Sequence, residues 1–175
     1  MKGKKTYLRA MEISDMELLR KWNFDENTRE FLLASFPISA FEQSKWFEKQ
    51  ISDNSKKKLI IVDSQNNVPV GLVSAMKIDH INKNCELGWT IGDKSNWGKG
   101  FASDAVKTLC NFLFNQLNLN MVYAMVLETN AKSLNFCKSK LNFKETGKFE
   151  KSIFLNGKYI DNVILCLSKE SFNKY

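Results

Sequence analysis

Trp97-Gly98-Lys99-Gly100-Phe101-Ala102-Ser103 sets the reading of this chain. Before it, Leu87-Gly88-Trp89-Thr90-Ile91 has strand composition; after it, Phe101, Ala102, Ala105, Val106, Leu109, Phe112 and Leu113 recur at helical spacing. Two glycines and a lysine therefore stand where a strand gives way to a helix. The first N–H groups of a helix have no acceptor within it, the helix dipole is positive there, and glycine lets an anion reach the backbone without a Cβ in the way. Lys99 adds a full positive charge. The stretch has the makings of a pyrophosphate cradle; the alternative is a glycine turn that only starts a helix.

Of two other anion-binding motifs, one fails and the other is a weak match. A Walker-type loop needs Gly-Lys-Ser/Thr, and Lys99 is followed by Gly100. A dinucleotide fingerprint needs Gly or Ala where Ser103 stands.

Working outward, a chain of 175 residues with 43% hydrophobic content has enough apolar surface for one substantial core, and its length favours a single domain over residues 1–175. The 26 Lys and Arg against 19 Asp and Glu leave a formal charge of +7, which suits an anionic ligand and weighs slightly against a polycation. Much of that charge sits in Lys2, Lys4, Lys5 and Lys56-Lys57-Lys58, at a terminus and in a turn, where a solvated surface is the plainer reading. Cys85, Cys110, Cys137 and Cys166 are far apart in apolar surroundings, so neither a zinc site nor a disulfide framework is expected. With one histidine, no metal is expected at all. The absence of an apolar leader and of any long apolar run points to the cytoplasm, and no nucleic-acid module is recognisable.

Along the chain, residues 6–11 form a first strand, and Ser14-x-x-Glu17 is a capping box for a helix with Met16, Leu18, Leu19 and Trp22 inward. A second helical stretch near Thr28 pauses at Phe36-Pro37. Ser39-x-x-Glu42 caps another helix, with Phe41, Trp46, Phe47 and Ile51 on its apolar face. Residues 58–62 and 68–78 form a hairpin; residues 85–91 and 121–127 are strands flanking a helix from about Gly100 to Leu117, a right-handed crossover that makes the two parallel. A helix over 130–140 and a type I′ hairpin at Asn156-Gly157 complete a mixed, largely antiparallel sheet with helices on both faces.

Trp97-Gly98-Lys99-Gly100-Phe101-Ala102 resembles the Arg/Gln-x-x-Gly-x-Gly/Ala signature of the GNAT acetyltransferases, with Trp97 at the first position as in the branch of ribosomal-protein N-terminal, spermidine and nucleotide-amino-sugar acetyltransferases. Leu8-Arg9-Ala10, Val70-Gly71-Leu72, Glu86-Leu87-Gly88-Trp89, Asn130 through Phe143 and Asn156-Gly157-Lys158-Tyr159 match its landmarks in order. The resemblance implies an α/β (α+β) GNAT fold with a splayed parallel strand pair holding the pantetheine of acetyl-CoA. It implies cofactor contacts at Leu87, Gly88, Trp89, Thr90, Trp97, Gly98, Lys99, Gly100, Phe101, Ala102, Ser103 and Asn130. It also implies an acceptor site flanked by the segment after the first strand, where Arg29, Phe31, Trp46 and His80 are candidates; helical spacing alone makes the aromatics among them ordinary core.

Acetyl transfer to an amine needs a neutral nucleophile, donors for the oxyanion and a proton for the leaving thiolate. A free alkyl amine, which titrates near pH ~10, must lose a proton first. Glu86 is the leading general base, with Glu128 as second candidate; the competing reading of each is a solvated or paired carboxylate. The resemblance implies a tyrosine acid seven residues after Asn130, but Cys137 stands there, in a segment one residue longer than usual with Asn142 in place of a glycine. A thiol near ~8.5 has a proton to give, whereas an inert buried thiol is the alternative. The expected activity is direct acetyl transfer to a primary amine, with a nucleotide-linked amino sugar as leading acceptor. A protein N-terminus or spermidine is the alternative acceptor, and a non-catalytic acyl-CoA-binding module the alternative class. The expected partner is thus a small-molecule or peptide amine, and self-association into a homo-oligomer is compatible with the chain.

Overall fold

The computed structural model describes residues 1–25, 36 and 38–174. Seven strands, β1 (Thr6–Ala10), β2 (Lys57–Asp63), β3 (Val68–Asp79), β4 (Asn84–Ile91), β5 (Met121–Leu127), β6 (Lys144–Leu155) and β7 (Lys158–Ser168), follow the order β1-β2-β3-β4-β5-β7-β6. The described helices are α1 (Met16–Phe24), α2 (Ala40–Ser52), α3 (Phe101–Asn115), α4 (Ala131–Lys140) and the short α5 (Lys169–Asn173). This is the mixed α/β, largely antiparallel class expected, with β4 and β5 as its parallel pair. The chain forms two compact units, Met1–Met76 with Gly88–Leu109, and Lys77–Leu87 with the remainder.

In the first unit β1 runs antiparallel to β2, Thr6 opposite Asp63 and Ala10 opposite Leu59, and β2 antiparallel to β3 with a bulge at Ile61/Val62. One face of β2 meets α1, and Met11, Met16, Leu19, Trp22, Ile60 and Val62 make a core against which Tyr7, Leu18, Trp46, Phe47 and Leu72 pack. Burying side chains such as Trp22 and Ile60 stabilises by roughly 1.5–3 kcal/mol each. Trp22 lies flat on Gly92, where a Cβ would stand 2.1 Å from its ring.

Two expectations about helices change here. Ser14 and Glu17 do not box the start of α1: a 3-10 turn, Ile13–Asp15, precedes it and carries the box, Asp15 accepting the Glu12 N–H at 2.9 Å while its carboxylate takes both guanidinium nitrogens of Arg9 at 2.7 Å. A half-buried two-point Arg–carboxylate pair outcompetes a surface serine, and Glu17 turns instead to Arg20. In α2 the Ser39–Glu42 box forms as expected, but the inward stripe is Gln43, Trp46 and Phe47, while Phe41 and Ile51 are exposed. Trp46 is five positions after Phe41, which at 100° per residue sets them on different faces.

In the second unit, β5 pairs antiparallel with β7 from Met121/Ser168 to Leu127/Asn162, and β6 pairs with β7 through the Asn156-Gly157 turn. Both turn residues are left-handed (φ 49° and 80°), as a type I′ hairpin requires. Along β5, Val122, Ala124 and Val126 are buried, whereas Met121, Tyr123 and Met125 are partly open. Of the cysteines, Cys85, Cys110 and Cys137 are buried, Cys166 is half-buried, and all four are free thiols. No helix among the described residues is long and apolar enough to cross a membrane.

Candidate active site

The glycine turn lies wholly in the first unit. β4 ends at Ile91, a single turn of 3-10 helix spans Lys94–Asn96, and the indole Nε1 of Trp97 donates to the Ile91 carbonyl at 3.1 Å, folding the turn back on the strand. Gly98 and Gly100 then take φ of +77° and +88°, the left-handed region that favours glycine. A Cβ on Gly98 would meet nothing within 4 Å, so the backbone is open to a ligand there. The Asp104 N–H bonds to the Gly100 carbonyl at 3.0 Å, and the three N–H groups before it occupy the first helical turn, where a helix offers no acceptor of its own. Trp97 to Ser103 therefore has the geometry to seat a pyrophosphate. Lys99 turns its ammonium to Asn96 Oδ1 at 3.2 Å, and its charge reaches Asp63.

Behind the turn, the last residues of β4 are held by β3. Ser74 Oγ donates to the Gly88 carbonyl at 3.3 Å, and a Cβ on Gly71 would stand 2.2 Å from the Thr90 carbonyl, so Gly71 is there for close approach. Trp89 and Thr90 are half-buried on this segment, and the buried Leu87 precedes it in the chain.

The second unit holds the titratable candidates. The parallel β4–β5 ladder covers three pairs, Asn84/Met121, Cys85/Val122 and Glu86/Tyr123, so Glu86 sits on its last rung. The Glu86 side chain is only 13% exposed, and its Oε2 lies 2.8 Å from Lys77 Nζ. That contact is an ion pair rather than a well-directed hydrogen bond. It raises the Lys77 pKa, while burial, and then the Glu86 charge, push the Tyr123 phenol up. Neither Lys77 nor Tyr123 stands out in the sequence. Lys77 takes a left-handed φ of 50° within β3, and only the strand register brings Tyr123 opposite Glu86.

Glu128 is exposed just beyond β5, and its Oε1 accepts the Asp161 N–H at 3.0 Å. Asn130 caps α4, its Oδ1 accepting the Ser133 N–H at 3.0 Å. Cys137 is wholly enclosed, and burial, the largest influence, pushes its thiol up to about 12. Asn142 takes φ 63°, which explains how an asparagine serves where a glycine is usual. His80 is exposed in the β3–β4 turn. Trp46 packs against the α1–β2 core with Lys58 Nζ 4.7 Å from its ring centre, while burial holds the Lys58 ammonium below its ordinary range. Arg29 and Phe31 lie outside the described residues. Among the described residues, no cluster of three metal-ligating side chains occurs.

A family model for the GNAT acetyltransferase domain matches residues 5–143. The spermidine N(1)-acetyltransferase of Vibrio cholerae is 28% identical over 155 residues, 88% of this chain and 87% of that one. The crystal structure of the spermidine N-acetyltransferase from Vibrio cholerae in complex with CoA and spermine superposes with a TM-score of 0.86 at 25% identity, covering 97% of this chain and 98% of that one. A dodecameric structure of the same enzyme superposes at 0.80 and 26% identity, covering 96% of each chain. The open glycine turn, the strand leading into it and these likenesses lead to one conclusion: the chain belongs to the GNAT acetyltransferase family and is an N-acetyltransferase that uses acetyl-CoA.

Proposed function

We propose that this protein transfers the acetyl group of acetyl-CoA directly to a primary amine of a short aliphatic polyamine of the spermidine type. The observation that carries the acceptor class is the near full-length likeness to a spermidine acetyltransferase, together with a CoA and spermine complex of a structure of the same fold. This revises the leading expectation: a nucleotide-linked amino sugar finds no support in these relatives, and the polyamine, the alternative acceptor, does. The basic surplus that argues mildly against a polycation is spread over both units, and within the second Glu86 and Glu128 supply carboxylates.

In this reading the amine nitrogen attacks the thioester carbonyl, the C–N bond forms and the C–S bond breaks. Glu86 takes the ammonium proton, directly or through water, and the backbone N–H groups of Gly88-Trp89-Thr90 along the same strand stabilise the oxyanion. Glu128 is the second candidate base. Asn130 bonds the pantetheine or an adjacent backbone group while its Oδ1 holds the helix cap. Cys137 fills core space: a buried thiol pushed up to about 12 is a poor proton donor, and water returns the proton to the leaving thiolate.

The test is CoA release across spermidine, spermine, a UDP-amino sugar and an N-terminal peptide. Turnover with the polyamines, at a kcat/KM at least tenfold above the others, is expected. Preference for the sugar or the peptide overturns the acceptor assignment, and binding of acetyl-CoA with no turnover on any amine overturns catalysis.

A further inference from the structure

We propose that Lys5, 94 residues from Lys99 in sequence, is a second cation of the cofactor turn and contacts the pyrophosphate of acetyl-CoA directly. The inference rests on the acetyl-CoA reading of the turn and adds a residue outside its motif. Lys5 Nζ donates to the Lys99 carbonyl at 2.9 Å and stands 3.4 Å from where a Cβ on Gly100 would be. An ammonium has three donors, so two remain after the Lys99 bond. Meanwhile the motif lysine, Lys99, gives its own ammonium to Asn96.

The backbone beneath Lys5 is fixed from both sides. Its carbonyl accepts the Ser64 N–H at 3.0 Å, and its N–H donates to Asp104 Oδ2 at 2.9 Å. Asp104, in the first turn of α3, also accepts the N–H of Lys4 at 2.9 Å, and the N–H and hydroxyl of Thr6 at 2.8 Å. Gly3 completes the fit, since a Cβ there would stand 2.3 Å from Asp104 Oδ2. The consequence is electrostatic as well as mechanical. A carboxylate in the first turn of a helix would oppose an incoming anion, but here its oxygens are engaged by four donors of the N-terminal segment, and the same segment delivers the Lys5 ammonium to Gly100. Asp104 is thus a positioning residue and Lys5 the binding one.

Titration of Lys5→Met, Lys5→Arg and the wild type with CoA, dephospho-CoA and pantetheine tests this, with thermal melts to establish that each protein is folded. Lys5→Met is expected to weaken CoA and dephospho-CoA about tenfold, the scale of a lost charge-assisted hydrogen bond, and to leave pantetheine unchanged. Lys5→Arg should recover most of the loss. Equal CoA affinity in Lys5→Met and wild type overturns the proposal, as does an equal loss with pantetheine. An effect that disappears with dephospho-CoA moves the contact to the 3′-phosphate and overturns the pyrophosphate assignment. A wild type that binds none of the three ligands strikes the acetyl-CoA reading itself, a distinguishable failure.

Discussion

At the turn before α3, Gly98 and Gly100 hold φ of +77° and +88°, and what the turn offers an anion is backbone; on β4, Glu86 sits on ordinary strand backbone, and what it offers is a carboxylate beside Lys77 and opposite Tyr123. The first arrangement needs a particular residue at particular positions, because few residues tolerate left-handed backbone and none but glycine leaves the amides open. The second needs only that three strands settle in one register. A site made of backbone therefore marks the sequence, and a site made of side chains across strands does not.

The comparison is broken most severely at Gly100. Gly100→Asp is expected to weaken CoA binding by about 10²-fold or more, because it sets a negative charge at the helix N-terminus proposed to take the pyrophosphate. Gly100→Asn has nearly the same shape and tolerates a positive φ, so it should lose far less. Calorimetric titration of both separates charge from strain, and an unchanged affinity in a folded Gly100→Asp protein would remove the turn from the site.

Glu86→Gln attacks the other side of the comparison. A general base contributes roughly 10²–10⁴-fold, so kcat should fall by about 10²-fold while the affinity for acetyl-CoA stays near wild type. A wild-type kcat at every pH would pass the role to Glu128 or to a water chain.

What is legible in the sequence follows the same line. Strand alternation, the Ser39–Glu42 box, the Asn156-Gly157 turn and the crossover around Trp97–Ser103 are local patterns, and the parallel pair comes with them. The start of α1 escapes such a reading because Asp15 finds Arg9 on a different element, a partner no local motif announces. The inward face of α2 follows from the angular positions of its aromatics and not from their number. Lys77 and Tyr123 leave no mark at all: Lys77 is one lysine among many, and Tyr123 has the character of any residue in an apolar strand. The proposed polyamine acceptor rests on relatives, since net charge alone leans the other way.

Asp104 joins the two kinds of site, a side chain that secures a backbone one. Burial would push its pKa up, but the N–H groups of Lys5, Lys4 and Thr6 and the Thr6 hydroxyl outweigh that, and it lies below the usual carboxylate range. A group whose folded pKa is depressed contributes stability above its unfolded pKa near ~3.9 and loses it as pH falls through the lower folded value. Asp104→Asn should therefore cost about 1–2 kcal/mol at neutral pH, with the gap from wild type closing below about pH 4. Denaturant melts at pH 7 and pH 3.5 check this, and a pH-independent gap would mean that the carboxylate's charge plays no part.

The smallest effect is expected at Cys137, and it sharpens the comparison by removing a rival. The thiol occupies the position where the resemblance implies a tyrosine acid, yet it is wholly enclosed, with its pKa pushed up to about 12. An acid must reach the thiolate it protonates, and a covalent carrier must present a thiolate to the thioester; burial denies both. Cys137→Ala should lower kcat by less than about threefold, with a modest loss of stability from the space vacated in α4, and the wild type mixed with acetyl-CoA alone should show no acetylated protein by mass spectrometry. A nearly inactive Cys137→Ala protein that still melts like the wild type would reverse the assignment. The side-chain chemistry of the second unit would then rest on α4 rather than on β4, and a ping-pong route through an acetyl-cysteine would replace direct transfer.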